Sequence, residues 1–175
     1  MTDGPRRTTL SDFSDEERFL LKKALSRLSV HDDTPKRLCD RLCELSYRKQ
    51  KVCRESCVKV VRFLHAEGLL SEKKYASDLV SALKSRGYGR RRILNELRSR
   101  KFSSATLCRV AEELAKEEQE ERERAFLMLS RRAAARKSEL SDHAEKSRLY
   151  AYLLRLGYDS EIVKEALDQL TQEEA

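Results

Sequence analysis

Apolar residues return every three or four positions along most of this chain and give way to polar turns at a few points, a spacing that predicts helices. Ser14 and Glu17 form a capping-box pair, so order is expected to begin at Ser14, ahead of a first stripe of Phe19, Leu20, Leu21, Ala24, Leu25 and Leu28 that ends near Ser29. The polar turn HDDTP places Pro35 at a favoured first-turn position, and Leu38, Cys39, Leu42 and Leu45 follow as a second stripe. A third helix is predicted from about Lys51 to Ala66, stopped by Gly68, and a fourth from Leu69 to Arg86 with Ser71 near its cap. The fifth runs from Arg90 to Arg100 with Ile93, Leu94 and Leu97 inward and Arg91 and Arg98 on one flank. Ser103 or Ser104 caps a sixth, whose buried face is Leu107, Val110, Ala111 and Leu114. Between Glu112 and Glu123 stand seven Glu, one Lys and one Arg, which reads as a solvated connector leading into a seventh helix through Phe126, Leu127 and Leu129. That helix closes on Arg131, Arg132, Arg136 and Lys137. Ser141 and Asp159 are the expected caps of the eighth and ninth, with Gly157 between them, and residues 1–13 read as a mobile tail.

This spacing contains a repeat. An offset of 56 residues sets Leu97 against Leu153, Phe102 against Tyr158, Ser104 against Ser160, Leu107 against Val163 and Leu114 against Leu170, and the segment LCELSY at 42–47 fits the same frame. The expected fold is therefore all-α: three tandem three-helix repeats, at 14–68, 69–117 and 118–175, forming an elongated, curved array. One such repeat is too small to bury a robust core alone, so neighbours must pack in series.

Composition agrees with a helix-rich protein. Of 175 residues, 38% are charged and 39% apolar, with five Gly, two Pro and no Trp, and strand signals are nearly absent. A net charge of +7 and a pI near 9.2 make an anionic partner plausible without specifying nucleic acid. No stretch approaches the roughly 20 apolar residues that a membrane span needs, and no secretory signal is apparent, so a cytosolic protein without a membrane role is expected. Five cysteines, an odd number, argue for reduced thiols. Cys39, Cys43, Cys53 and Cys57 form CxxxC twice, but zinc ligands are usually spaced CxxC, and cysteines at helical spacing among apolar neighbours pack as small hydrophobes. No metal and no cofactor are expected. His31, His65 and His143 are scattered, and no paired carboxylate, activated nucleophile or metal set emerges, so an enzyme is not expected.

The strongest local signal is KSRGYGRRRILNELRSRK at 84–101, with eight basic side chains against one acidic. Gly87 and Gly89 are expected to stop one helix and start the next, which puts Arg90, Arg91 and Arg92 on a first turn. A helix N-terminus favours anions, so cations there imply a phosphate or carboxylate partner. GYGRRR lacks the Lys and Ser or Thr of a nucleotide-binding loop. Tyr88, in the glycine loop, could stack on a base, whereas Tyr150 shares a core stripe with Leu153.

The segment RFLHAEGLLSEKKYASDLVSALKSRGYGRRRILNEL at 62–97 resembles the middle of RecX family proteins, regulators of the RecA recombinase. Tyr75 and Ala76 occupy the family's aromatic-Ala step, RGYG is close to its RG-x-G element, and Arg92, Ile93, Glu96 and Leu97 resemble its RI-x-x-EL. KSRLYAYLLRLGYDSEIVKEAL at 146–167 looks like its last unit, and the resemblance extends over roughly residues 20 to 170. Departures are Arg90 where the family usually has Pro, Lys101 where Gly is common, Leu156 for a frequent Arg, and Ser71-Glu72 for an acidic pair. The resemblance implies a non-enzymatic modulator that binds the groove of a RecA filament on single-stranded DNA, usually lowering strand exchange, ATP hydrolysis and co-protease action, and a monomer is the expected form of such an array. Direct affinity for single-stranded DNA is expected to be weak and sequence-independent. Candidate contacts are Arg86, Tyr88, Arg90, Arg91, Arg92, Arg98, Arg100 and Lys101, then Arg131, Arg132, Arg136, Lys137 and Arg148. The alternative is a helical DNA-binding regulator that uses one three-helix repeat to place a recognition helix in the major groove.

Overall fold

The computed structural model describes residues 9–136 and 143–173. Among them nine helices carry nearly all the regular structure: α1 (Asp15–Leu28), α2 (Pro35–Cys43), α3 (Arg54–Ala66), α4 (Glu72–Ser85), α5 (Arg90–Ser99), α6 (Ser104–Lys116), α7 (Glu118–Arg136), α8 (His143–Leu156) and α9 (Ser160–Glu173). The fold is all-α, as the apolar spacing predicts. Local chemistry sets the helix starts. Ser14 and Glu17 close their capping box on α1, the Thr34 hydroxyl accepts the Arg37 amide ahead of Pro35 on α2, and the Ser71 and Ser103 hydroxyls cap α4 and α6. The expected cap Ser141 lies outside the described residues.

Three stretches differ from the sequence expectation. Order begins before Ser14: Leu10–Asp12 forms a 3-10 turn capped by Thr9, and Phe13 is buried edge-on against Phe63. Two short strands, β1 (Ser46–Tyr47) and β2 (Gln50–Lys51), pair antiparallel where the third helix was expected to start. Their turn holds Arg48 and Lys49 in left-handed conformation at φ 49° and 66°, which hairpins normally give to Asn and Gly, so composition carried no sign of it. The Glu-rich stretch, expected as a connector, is instead helical on both sides of a single residue. Glu117, at φ −98° and ψ 28°, separates α6 from α7.

The chain divides into two compact units: residues up to Tyr75 together with Arg100–Phe102, and the remainder. In the first, Leu20, Ala24, Leu38, Cys57, Val60 and Leu64 are fully buried where α1, α2 and α3 meet. The N-cap of α3 is Cys53, whose side chain makes no capping bond; a Glu16 oxygen accepts the Cys53 amide at 3.3 Å instead, while the other accepts the Ser56 hydroxyl at 2.8 Å. In the second unit, Ala125, Leu129, Leu149, Leu153, Tyr158 and Val163 form a core among α7, α8 and α9. Each fully buried leucine contributes about 1.5–3 kcal/mol.

The 56-residue offset has a geometric counterpart. Leu97 and Leu153 are both fully buried, Ser104 and Ser160 both open helices, and the matched Lys101 and Gly157 both take positive φ, 60° and 91°. A Cβ on Gly157 would meet the Arg92 Cβ at 2.4 Å and its amide nitrogen at 2.5 Å, so here glycine is required by space as well as by φ. Gly157→Ala is expected to cost at least about 2 kcal/mol in urea unfolding. Lys101→Gly relieves a left-handed residue and removes an exposed ion pair with Asp40, and should change stability by less than about 1 kcal/mol.

Candidate partner-binding site on the second unit

The basic row begins where α4 turns into α5. Gly87, at φ 78°, ends the preceding helix, and the Tyr158 hydroxyl donates to its carbonyl oxygen at 2.8 Å. The first amides of α5 are then taken one by one: Gly89 N–H donates to the Leu156 carbonyl at 2.9 Å, Arg90 N–H to Glu121 Oε1 at 2.6 Å, and Arg91 N–H to the Gly157 carbonyl at 3.1 Å. A Cβ on Gly89 would stand 2.6 Å from Gly157 C and O, so the two backbones approach as closely as backbones can. The anion implied by three arginines on a first turn is therefore internal. Glu121 supplies it.

Glu121 lies in the Glu-rich run expected to be solvated, yet it is only 3% exposed. Burial raises its carboxyl above the usual range, against the Arg90 amide and the Arg124 charge, which favour ionisation. One sequence signal could have found it: Glu121 sits one helical step before Ala125, Leu129 and Ala133, so the buried stripe of α7 runs back onto it. Glu145 stands likewise before Leu149 and Leu153 and is 3% exposed.

With the Gly89, Arg90 and Arg91 amides spoken for, this end of α5 offers mainly its side chains. Arg91 is two-thirds exposed and pairs with Asp159 at 3.3 Å, while Arg98 is exposed and donates to the Asn95 side chain at 2.9 Å. Together with Arg90, Leu94, Asn95 and Asp159 they line a cleft of about 400 Å³. Leu94 is half-exposed in this cleft, not fully inward as expected. Arg86 is exposed just beyond α4, and Arg92 places its guanidinium 5.1 Å from the Tyr88 ring centre, covering a face that a base would need.

The remaining candidates fall elsewhere. Arg100 and Lys101 belong to the first unit, where Arg100 donates to the Tyr75 hydroxyl at 2.6 Å and Lys101 reaches Asp40 at 2.6 Å. Arg131 and Arg132 are exposed on α7, with Arg132 5.2 Å from the Tyr152 ring centre. Arg132, Tyr152, Arg148 and Arg155 line a second cleft of about 290 Å³, and Arg148 pairs with the buried Glu145. Sequence reasoning missed Arg155. Arg136 closes α7, and Lys137 lies outside the described residues. Tyr150 is half-buried against the core of the unit.

No group of three or more metal-ligating side chains stands together among the described residues. Cys57 is buried beside Cys43 and Cys39, and burial first, then those neighbours, pushes its thiol up to about 12. The Cys39 thiol is raised for the same reasons, so neither supplies a thiolate readily.

The fold defines an all-α protein of successive three-helix groups with an arginine-lined cleft. Residues 118–167 match the family model described as RecX, third three-helix domain. Regulatory protein RecX of Trichlorobacter lovleyi is 28% identical over 123 residues, covering 70% of this chain and 79% of the relative. The crystal structure of RecX from Lactobacillus salivarius superimposes with a TM-score of 0.72 at 18% identity, covering 90% of this chain and 98% of that one. A further crystal structure of regulatory protein RecX gives 0.66 at 18% identity, covering 88% and 72%. At that identity the two structures establish the fold. The sequence matches point to the RecX family of regulatory proteins.

Two measurements follow from the buried groups. Because the Glu121 carboxyl is raised in the folded chain, its stabilising contribution is present below about pH 4.3, the unfolded value, and is lost as pH rises through the higher folded value. Glu121→Gln keeps an acceptor for the Arg90 amide without the charge, so the variant should gain stability relative to the parent between pH 4 and pH 7 in urea unfolding; a gap independent of pH would contradict the assignment. Under a thiol-reactive disulfide reagent, exposed Cys53 and Cys108 should react first and Cys57 last, which peptide mapping of the labelled protein checks.

Proposed function

We propose that this protein binds the RecA filament on single-stranded DNA and lowers its strand exchange, ATP hydrolysis and co-protease action, without catalysing a reaction itself. The RecX matches support the regulatory class, and the resemblance of residues 62–97 supports RecA as the partner. One observation carries the placement of the contact. The Arg90 and Arg91 amides at the start of α5 are taken within the chain, yet Arg91 and Arg98 remain displayed along one flank, seven residues and two turns apart, beside a cleft. Such a row suits an acidic protein surface or a phosphate backbone.

In this reading Arg86, Arg90, Arg91, Arg92 and Arg98 form the principal contact, and Arg131, Arg132 and Arg148 a second one. Arg136 and Lys137 continue that second set in sequence. Arg100 and Lys101 act first as structural residues of their own unit, and Tyr88 acts as the platform for Arg92. The proposed repeats are 14–68, 69–117 and 118–175, so the two contacts fall on different repeats, and weak contacts on several filament subunits would add by multivalency. Sequence-independent affinity for single-stranded DNA is a secondary term, and a cytoplasmic monomer is the proposed working form.

The test adds stoichiometric protein to RecA on single-stranded DNA and follows ATP hydrolysis and strand exchange. Both should fall. Arg91→Gln combined with Arg98→Gln should raise the concentration needed for half the effect by about tenfold, equivalent to about 1.4 kcal/mol, while leaving the helical circular dichroism unchanged. An unaltered RecA reaction with the parent protein overturns the proposal, and unaltered potency of the variant removes α5 from the contact.

A further inference from the structure

Between α1 and α2 the chain buries one carboxylate under three guanidinium groups. Asp33 has no exposed side-chain surface, and Arg27 Nε donates to its Oδ2 at 2.7 Å. Arg37 Nε stands 3.6 Å from Oδ1 and Arg41 Nε 3.8 Å from Oδ2, beyond hydrogen-bond range. The Thr34 amide completes the carboxylate at 3.2 Å, and the Thr34 hydroxyl donates to the Arg100 carbonyl, fixing the residue whose guanidinium reaches Tyr75. All of this lies within the first unit and opens into a cleft of about 510 Å³, lined also by His31 and Asp32.

A buried carboxylate needs one well-placed cation and its hydrogen bonds, and Arg27 with the Thr34 amide provide them. Arg37 and Arg41 are in excess. Three guanidinium groups around one carboxylate leave two positive charges in surplus, and like charges this close repel unless an anion joins them. Asp32 is exposed at the rim, where solvent screens it. The side chains of Arg37 and Arg41 are 31% and 42% exposed, so they remain reachable from the cleft. Nearly every lining group is polar or charged, which leaves little to hold an apolar ligand. Guanidinium groups bind oxyanions in bidentate fashion, and the surplus of two matches a dianion better than a single carboxylate.

We propose that this cleft is a binding site for a phosphate-bearing ligand, held by Arg37 and Arg41 with Asp33 as the buried anchor that orients them. The site is separate from the α5 row and from the filament reading, because it needs no RecA.

The experiment titrates the full chain at low salt with inorganic pyrophosphate in one arm and a short oligothymidylate in the other, following binding by calorimetry. Arg37→Gln with Arg41→Gln, which leaves the Arg27–Asp33 pair intact, should weaken binding at least tenfold. Lys22→Gln with Arg62→Gln, two exposed cations outside the cleft, should change it less than threefold. Saturable pyrophosphate binding lost in the cleft variant identifies a small phosphate ligand. Binding of the oligonucleotide alone, with a salt dependence that drops in the cleft variant by about 0.7 per phosphate contact removed, identifies a polynucleotide backbone. No saturable binding of either probe, or equal weakening by the two double variants, overturns the proposal.

Discussion

One hydrogen bond, from the Arg90 amide to the buried Glu121 carboxylate, makes the most basic stretch of this chain compatible with a helix start. A helix N-terminus carries partial positive charge, and three consecutive arginines add three whole charges beside it, so a buried acceptor on the first amides eases a turn that its own electrostatics oppose. Glu121 provides that anion from α7 at the cost of its own desolvation, which is why its carboxyl is raised although arginines surround it. The Gly89 amide and the Gly157 carbonyl complete the junction through direct backbone approach, so α5 is positioned by the turn between α8 and α9 and not by its own sequence alone.

Much of this was legible in the sequence, and the exceptions have definite physical causes. Helix existence followed from the apolar spacing because burial is what that spacing encodes: Leu20, Leu38, Val60, Ile93, Leu97, Val110, Leu129, Leu153 and Val163 are all buried. Helix starts followed from Ser14, Ser71 and Ser103, whose hydroxyls cap, and from Pro35, whose ring suits a first turn; the cap at Thr34 emerged only in the structure. The hairpin at Ser46–Lys51 was not legible, since its turn uses Arg48 and Lys49 where a glycine would have announced it. Glu121 was hidden by six similar neighbours in its run; composition counts them alike, and only helical phase separates the one facing inward.

Charge on this chain is organised rather than spread. Part of its basic surplus is oriented by aromatic rings: Lys59 lies over Phe13, Arg92 over Tyr88 and Arg132 over Tyr152. Another part is tied to single carboxylates, as Lys84 is to Glu117 and Lys101 to Asp40. A count of Lys and Arg over residues 84–101 therefore overstates the surface available to a partner. It treats Arg100, engaged with Tyr75, as equal to Arg91, which is two-thirds exposed.

The internal anion also constrains how a partner can be recognised. If the amides at the start of α5 were open, an incoming phosphate or carboxylate would be gripped along the helix axis by fixed backbone donors, and the spacing of the arginines would matter little. Glu121 closes that route. In the proposed contact, affinity then rests on side chains projecting from the flank of α5, whose positions are set by helical phase: Arg91 and Arg98 stand in register two turns apart, and Asn95 holds the Arg98 guanidinium. Arginines so held lose less freedom on binding than free ones, and their separation selects a surface with anionic groups at a similar spacing over a single isolated anion. A repeating polymer, whether a protein filament or a phosphate backbone, offers that spacing, so the buried carboxylate is in keeping with the proposed extended partner and gives a small ligand no backbone grip at Arg90.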